Sequence, residues 1–340
     1  MTKPDRHRIT RKLGPSAIDL PVLGFGSASL GSQVHAFDID TARGAIAAAY
    51  DAGIAYFDTA PLYSYGMAER LIGDGLRCWR DRPIVSTKVG RLLRSGAPVH
   101  PVIPAIAGVP FGIRHDYSRD GALRSFEDSL QRLGTDRVDI LLIHDIDSAA
   151  HGADAPAYFR QAMEGALPAL AELRDQGVIG ALGLGVNMAD ACINALDHAD
   201  LDCCLIAGRY TLLDTAILDD LLPKCRARGV SLIVGGPYNS GVLAGAPPKS
   251  ATFDYRPAPP EVLARVAELS GVAEAHGVAL PAAAIQFPLG EPAVASVIPG
   301  MRTADEVRQN LAHFNAEIPA AFWQALKDEG LLRRDAPVPE

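Results

Sequence analysis

The stretch Ile54-Ala55-Tyr56-Phe57-Asp58-Thr59-Ala60-Pro61-Leu62-Tyr63-Ser64-Tyr65-Gly66 reads as a short strand, Ile54 to Phe57, that ends in a carboxylate and opens into a loop carrying two phenols. Two later apolar runs end in the same manner, Ile84 to Lys88 in an ammonium and Ile140 to His144 in an imidazole. Ionisable groups at the ends of apolar strands are costly to place there without a use. In an α/β barrel, the C-terminal strand ends are where chemistry is built.

Outward from these strands the pattern repeats. Pro21–Gly31 is small and apolar, as expected of a strand and its loop, and Arg11–Leu20 before it suits a hairpin across one end of the fold. Helical spacing starts at Asp40, with Ala45, Ile46, Ala49 and Tyr50 on one face, and stops at Gly53. Further helices are predicted over Met67–Trp79, Arg119–Leu133, Phe159–Gln176, Met188–His198, Thr215–Arg228, Glu261–His276 and Ala304–Phe314. The strands between them are Val138–Ile143, Val178–Val186, Leu201–Ala207, Val230–Val234 and Ala293–Ile298, and Ala320–Leu331 makes one extra terminal helix. Eight strands, each followed by a helix, imply right-handed parallel crossovers and a (β/α)8 TIM barrel filling residues 1–340 as a single domain. An open doubly wound sheet would want a glycine-rich dinucleotide turn after its first strand, and Gly24-Phe25-Gly26-Ser27-Ala28-Ser29 does not complete one. Two connections, Arg91–Ser118 and Gly236–Pro260, are too long to be mere joins. Both follow strands, so both leave the C-terminal face and are expected to serve substrate and cofactor.

A net charge of -8 without a long basic run argues against nucleic acid as a partner. Hydrophobic residues at 48% provide for a large core. The cysteines, Cys78, Cys192, Cys203, Cys204 and Cys225, form no CxxC pair and read as reduced thiols of a cytoplasmic protein. No His, Cys or Asp cluster has metal-ligand spacing. Met1–Lys12 lacks the apolar core of a secretory leader, and no apolar run is long enough to span a membrane.

Asp58, Tyr63, Lys88 and His144 make sense as one proton-transfer site. A free phenol titrates at about 10, too high for a base near neutrality. An ammonium beside it favours the phenolate, a carboxylate holds that ammonium charged, and an imidazole orients the substrate oxygen. Singly, each has a plainer role: Asp58 as a helix cap, Tyr63 or Tyr65 as packing aromatics, Lys88 as an exposed strand end, His144 as a core histidine. Jointly, those plainer roles require four coincidences at equivalent strand ends.

On FDTAPLYSYGMAE at 57–69, STKVG at 86–90, DSLQRLGTDRVDILLIHDID at 128–147, GLGVN at 183–187 and VIPGMRTADEVRQN at 297–310, the chain resembles the aldo-keto reductases over nearly its whole length. It is most similar to the sugar 1-dehydrogenases acting on L-fucose, L-galactose and D-threo-aldoses, a branch that includes a pyridoxal dehydrogenase. DYSRDGALRSFEDSLQRLG at 116–134, AGRYTLLD at 207–214 and PYNSGVLAG at 237–245 carry that similarity. The resemblance implies an extended nicotinamide dinucleotide bound without a Rossmann fold, and Asp58, Tyr63, Lys88 and His144 as catalytic groups. It makes Tyr63 the acid/base, with Tyr65 near the substrate or in packing. Asn187 matches the residue that holds the carboxamide, and Tyr238, or less well Tyr210, the aromatic on the ring. Where NADP-preferring members carry lysine and arginine, this chain has Gly300 and Glu306, with Asn310 retained. A carboxylate repels a 2′-phosphate and accepts from a free ribose hydroxyl, so NAD is expected over NADP. Arg302 and Arg308 are the cations that could offset Glu306.

The activity so implied is oxidation of the anomeric hydroxyl of an aldose to the lactone, by a cytoplasmic monomer or small homo-oligomer. The alternatives are an NADPH-dependent aldehyde or ketone reductase, or a pyridoxal dehydrogenase, on the same fold. A nucleotide-binding sensor or channel accessory is more distant, since a binding module has no need of an activated tyrosine.

Overall fold

Strands that are apolar at successive rather than alternate positions are buried on both faces, as parallel strands under helices are. The computed structural model, which describes residues 6–31, 38–97, 109, 111–245 and 250–340, is built on such strands. They are β1 (Phe25–Gly26), β2 (Tyr56–Asp58), β3 (Ile84–Val89), β4 (Ile140–His144), β5 (Ala181–Val186), β6 (Cys203–Ala207), β7 (Ser231–Gly235) and β8 (Val294–Ile298), paired in parallel in that order. Gly24 N donates to Val297 O at 2.9 Å and Gly26 N to Pro299 O at 3.0 Å, which brings β8 back to β1 and closes the ring. This is the (β/α)8 barrel expected from the sequence. Because the strands are parallel, each delivers its last residues to one rim, and Asp58, Lys88 and His144 reach that rim from β2, β3 and β4.

The barrel interior is filled by Tyr56, Leu142, Ala181, Leu205, Ile233 and Ala295, joined at the far end by Leu13 and Leu20. The last two come from the expected hairpin, Thr10–Lys12 paired with Asp19–Pro21. Its turn needs Gly14, at φ 52°, because a Cβ there would lie 2.1 Å from Asp202 O.

Several boundaries differ from the sequence expectation. The helix predicted over Phe159–Gln176 is two helices, Ala155–Gln161 and Leu167–Asp175, around a π-helical turn at Ala162–Ala166. Pro168 has no N–H to donate back one turn, which breaks the regular ladder there. Thr215–Arg228 is a 3-10 turn, Ala216–Leu218, and then a helix from Leu221 whose first turn holds Pro223, the part of a helix that tolerates proline. Leu280–Gln286 is a helix that the sequence pattern did not show. The connection Arg91–Ser118 carries a hairpin, Arg91–Ser95 with Phe111–His115, and Gly236–Pro260 carries a 3-10 segment, Asn239–Ala244, and the short pair Thr252–Phe253 and Arg256–Pro257. Residues 98–108, 110 and 246–249 of these two connections, and Met1–Asp5 of the amino-terminal segment, lie outside the described residues. The extra terminal helix is Ala320–Asp328. Among the described residues, no helix is long and apolar enough to cross a membrane, and no group of three or more His, Cys, Asp or Glu could hold a metal ion.

Candidate active site

Asp58 and Lys88 stand on neighbouring strands and both are buried. Lys88 Nζ donates to Asp58 Oδ1 at 2.9 Å, Asp58 Oδ2 at 2.8 Å and Thr59 O at 2.9 Å. Ser86 Oγ donates to Asp58 Oδ1 at 2.7 Å. Two charges persist out of water here because each is paired and hydrogen-bonded. Gly185 on β5 leaves the lysine its room, since a Cβ there would lie 3.0 Å from Lys88 Cε.

Tyr63 comes from the turn after β2 and is only partly exposed. Ser64 and Tyr65, both at φ 51°, and Gly66, at φ 84°, follow it in left-handed conformation. Such conformations cost non-glycine residues about 1–3 kcal/mol each and gather at functional turns. Tyr65 is buried against Leu62, Leu93 and Ile113, which makes it a packing aromatic. The Tyr63 ring centre lies 4.7 Å from Lys88 Nζ, and the His144 ring meets it edge-on at 5.9 Å. The phenol's pKa is raised rather than lowered in this arrangement, contrary to expectation. Burial, followed by the charges of Asp58 and Asp145, pushes Tyr63 well above the usual tyrosine range, and Arg91 opposes them. The three hydrogen bonds of Lys88 go to Asp58 and Thr59, which fix its ammonium beside the Tyr63 ring.

Arg91 and Asp145, which the sequence did not single out, join these four. Arg91 opens the hairpin after β3, and Asp145 follows His144 with φ 40°. Arg91 Nη2 lies 2.8 Å from Asp145 Oδ2, with both side chains buried. Asp145 Oδ1 accepts from Asn187 Nδ2 at 3.0 Å, and Asp145 Oδ2 lies 3.3 Å from His144 Nε2. Burial pushes the Asp145 carboxyl up to about 6, against the pull of Arg91 and Lys88. The strained turn at His144–Asp145 is held by Tyr117, whose OH shares its proton between His144 O at 2.7 Å and Asp145 O at 2.9 Å. Asp147 accepts from Asn187 N at 2.9 Å and Met188 N at 3.0 Å, tying the end of β4 to the end of β5. The available signal was the charge next to each strand end, in Gly90-Arg91 and His144-Asp145.

Across the rim, Tyr238 OH donates to Asn310 Oδ1 at 2.5 Å, joining the loop after β7 to the helix Ala304–Asn315. Tyr210 lies elsewhere, buried in the core with its ring centre 5.1 Å from that of Phe287, so it is no candidate for the cofactor ring. Glu306 accepts from Arg302 N at 2.7 Å, Nη2 at 2.6 Å and Nε at 3.0 Å. Arg308 pairs with Asp305. Gly300 bridges Gly26 across the closing seam, where a Cβ would meet Ser29 Oγ at 2.8 Å.

Residues 22–329 match the aldo/keto reductase family. The chain belongs to that family. A pyridoxal 4-dehydrogenase of Microbacterium luteolum is 42% identical over 334 residues, spanning 95% of this chain and 97% of its own. A D-threo-aldose 1-dehydrogenase of a Pseudomonas species is 37% identical over 324 residues, spanning 93% of this chain and 96% of its own. Among solved structures, an aldo-keto reductase of Bacillus halodurans in its holo form superposes with a TM-score of 0.75 at 26% identity, covering 98% of this chain and 99% of that one.

Aldo/keto reductases are NAD(P)(H)-dependent oxidoreductases, and the rim between β8 and β1 of this one fits such a ligand. The missing side chain at Gly300 leaves room for Ser29 at this seam. Beside it the hydroxyls of Ser27 and Ser29 are buried and have no hydrogen-bond partner among the described residues. Asn187, Tyr238, Arg302, Glu306 and Asn310 supply further polar and aromatic groups around the same rim.

Proposed function

We propose that this aldo/keto reductase is an NAD-preferring dehydrogenase that oxidises the anomeric hydroxyl of a cyclic aldose to the lactone. The observation that carries this is the buried Asp58–Lys88 pair against the face of Tyr63, with His144 edge-on to the same ring. Tyr63 takes the hydroxyl proton at its phenol oxygen. Lys88, fixed by Asp58 and Thr59, presents a preorganised positive field to the phenolate as it forms. His144 hydrogen-bonds the substrate oxygen and orients it. The nicotinamide, when bound, supplies the hydride acceptor. Asn187 holds its carboxamide and Tyr238, braced by Asn310, its ring. Preference for NAD follows from Glu306, which faces a 2′-phosphate with a carboxylate and already engages Arg302, while Asp305 engages Arg308. The enzyme works as a single-domain cytoplasmic monomer or small homo-oligomer.

A second substrate, pyridoxal, is favoured by the 42% identity to the Microbacterium luteolum enzyme against 37% for the aldose enzyme. Pyridoxal, like an aldose, closes to a cyclic hemiacetal, so the same proton and hydride would leave it. Steady-state reduction of NAD⁺ and NADP⁺ with L-fucose, L-galactose and pyridoxal tests both, alongside oxidation of NADPH by propanal. A higher kcat/KM for a sugar with NAD⁺ supports the first substrate, and the reverse order selects pyridoxal. If propanal with NADPH outruns every oxidation, the enzyme is a reductase and both fail.

A further inference from the structure

Resting on the dehydrogenase chemistry above, we propose that Arg91 is a specificity-determining residue: its Nε–H and Nη1–H hold a second oxygen of the substrate, beside the one taken by Tyr63 and His144. The site would thereby select substrates carrying a neighbouring hydroxyl or oxyanion over plain alcohols and aldehydes.

A guanidinium carries five N–H donors, and buried donors are costly to leave unmade. Arg91 is 3% exposed; its Nη2 pairs with Asp145, and the Tyr117 hydroxyl also bears on its guanidinium. Its Nε and Nη1 are buried and have no hydrogen-bond partner among the described residues. Asp145 meets the fork at Nη2, and its other contacts are Asn187 and His144. Arginines elsewhere in the barrel are used differently. Arg226 places Nε and Nη2 on the two oxygens of Glu291, and Arg132 places Nε on Glu69 and Nη2 on Ser129. Arg11 spreads its fork over the carbonyls of Leu289, Glu291 and Val294. Those three are structural, and their forks are filled. The half-filled fork belongs to the arginine at the catalytic rim, next to the His144–Asp145 turn and close enough to Tyr63 to bear on its phenol.

The charge survives burial because Asp145 and Tyr117 outweigh the cost of desolvation. What remains is a cationic, planar pair of donors suited to an oxygen acceptor. In an aldose that acceptor is a hydroxyl next to the reacting carbon, and in pyridoxal it is the ring phenolate.

Glyceraldehyde and propanal share a three-carbon skeleton and differ in hydroxyls, so they isolate this contact. Their reduction with NADH is measured for wild type, Arg91→Met, Arg91→Lys and the double variant Arg91→Met/Asp145→Asn, which spares the fold an unpaired buried carboxylate. Wild type should prefer glyceraldehyde. Arg91→Met and the double variant should lose roughly ten- to a hundredfold more kcat/KM on glyceraldehyde than on propanal, the scale of a charge-assisted hydrogen bond. Arg91→Lys should recover part of the preference. In the oxidative direction, 2-deoxy sugars against their parents, and 3-O-methylpyridoxal against pyridoxal, show which oxygen is held. Absence of a glyceraldehyde preference in wild type overturns the proposal, as does a loss equal on both aldehydes. If wild type oxidises neither sugars nor pyridoxal, the functional reading fails, while the aldehyde pair still decides the role of Arg91.

Discussion

Removing the Asp58–Lys88 pair one charge at a time, and then together, separates what it does for stability from what it does for turnover. Both side chains are nearly inaccessible, at 3% and 1% exposure. Breaking a buried pair by deleting one partner costs about 3–5 kcal/mol, because the other charge is stranded. Lys88→Met belongs at the lower end of that range, since Asp58 keeps the Ser86 bond and can take up a proton. Asp58→Asn belongs at the upper end, since the ammonium keeps only Thr59 O as a full-strength acceptor. The double variant Asp58→Asn/Lys88→Met carries neither charge and nearly the original volume, so it should lie within about 1 kcal/mol of wild type. Turnover should follow no such recovery. All three variants should fall at least about a hundredfold, because without the ammonium the Tyr63 phenolate loses its nearest cation, and without Asp58 the ammonium is no longer held in place. Urea unfolding followed by circular dichroism gives the first quantity, and initial rates at saturating NAD⁺ give the second. A double variant as unstable as the worse single would show that the charges do not compensate each other. A double variant that regains turnover would refute the catalytic role outright.

Tyr63→Phe should lower kcat by about 10²–10⁴-fold while leaving the Kd for NAD⁺ within a few-fold, and a Phe variant retaining more than roughly a tenth of kcat would refute the assignment. Oxidation requires the phenolate, and the Tyr63 pKa is raised, so the reactive fraction grows with pH until that raised value is reached. The expected profile of kcat/KM for oxidation therefore climbs from neutrality to about pH 10 without levelling, whereas reduction, which needs the phenol, stays flat over the same range. An oxidation plateau near neutrality would contradict it. Glu306→Arg removes the acceptor that engages Arg302 and adds a second cation, so NADP⁺ affinity should rise roughly ten- to a hundredfold relative to NAD⁺, less so at high salt. Tighter binding of NADP⁺ by wild type would place the phosphate elsewhere.

The barrel was legible because its strands are apolar runs separated by helical periods, and the meeting of Asp58, Lys88 and His144 at one rim because each terminates such a run, with Tyr63 in the turn after the first. Pro168 and Pro223 show what pattern alone concealed: the apolar stripes continue through both, and only the missing N–H tells where the helices break or begin. Tyr210 and Tyr238 were both plausible ring partners, since a sequence does not say which tyrosine faces the core and which the rim. Arg91 and Asp145 were missed for a related reason. Each is an ordinary charged residue in its own segment and gains its meaning from an ion pair between segments 54 positions apart. The direction of the Tyr63 pKa was misjudged because burial and the carboxylates of Asp58 and Asp145 outweigh the cations beside the phenol, and neither burial nor Asp145's nearness shows in the sequence.

The hairpin that stoppers the barrel has a consequence for the chain's history and handling. Gly14 N donates to Ser231 Oγ, Arg11 to the carbonyls around Glu291, and Leu13 and Leu20 join a cluster drawn from β2 and β4 to β8. This segment precedes all eight barrel strands in the chain and cannot dock until nearly the entire ring has been made. During that interval its apolar residues have no seat, the state in which nascent barrels are most exposed to aggregation. Once docked, it lies on the face opposite the catalytic rim. A tether made to the exposed Lys12 of this hairpin would therefore fix the enzyme to a support with its substrate mouth turned outward.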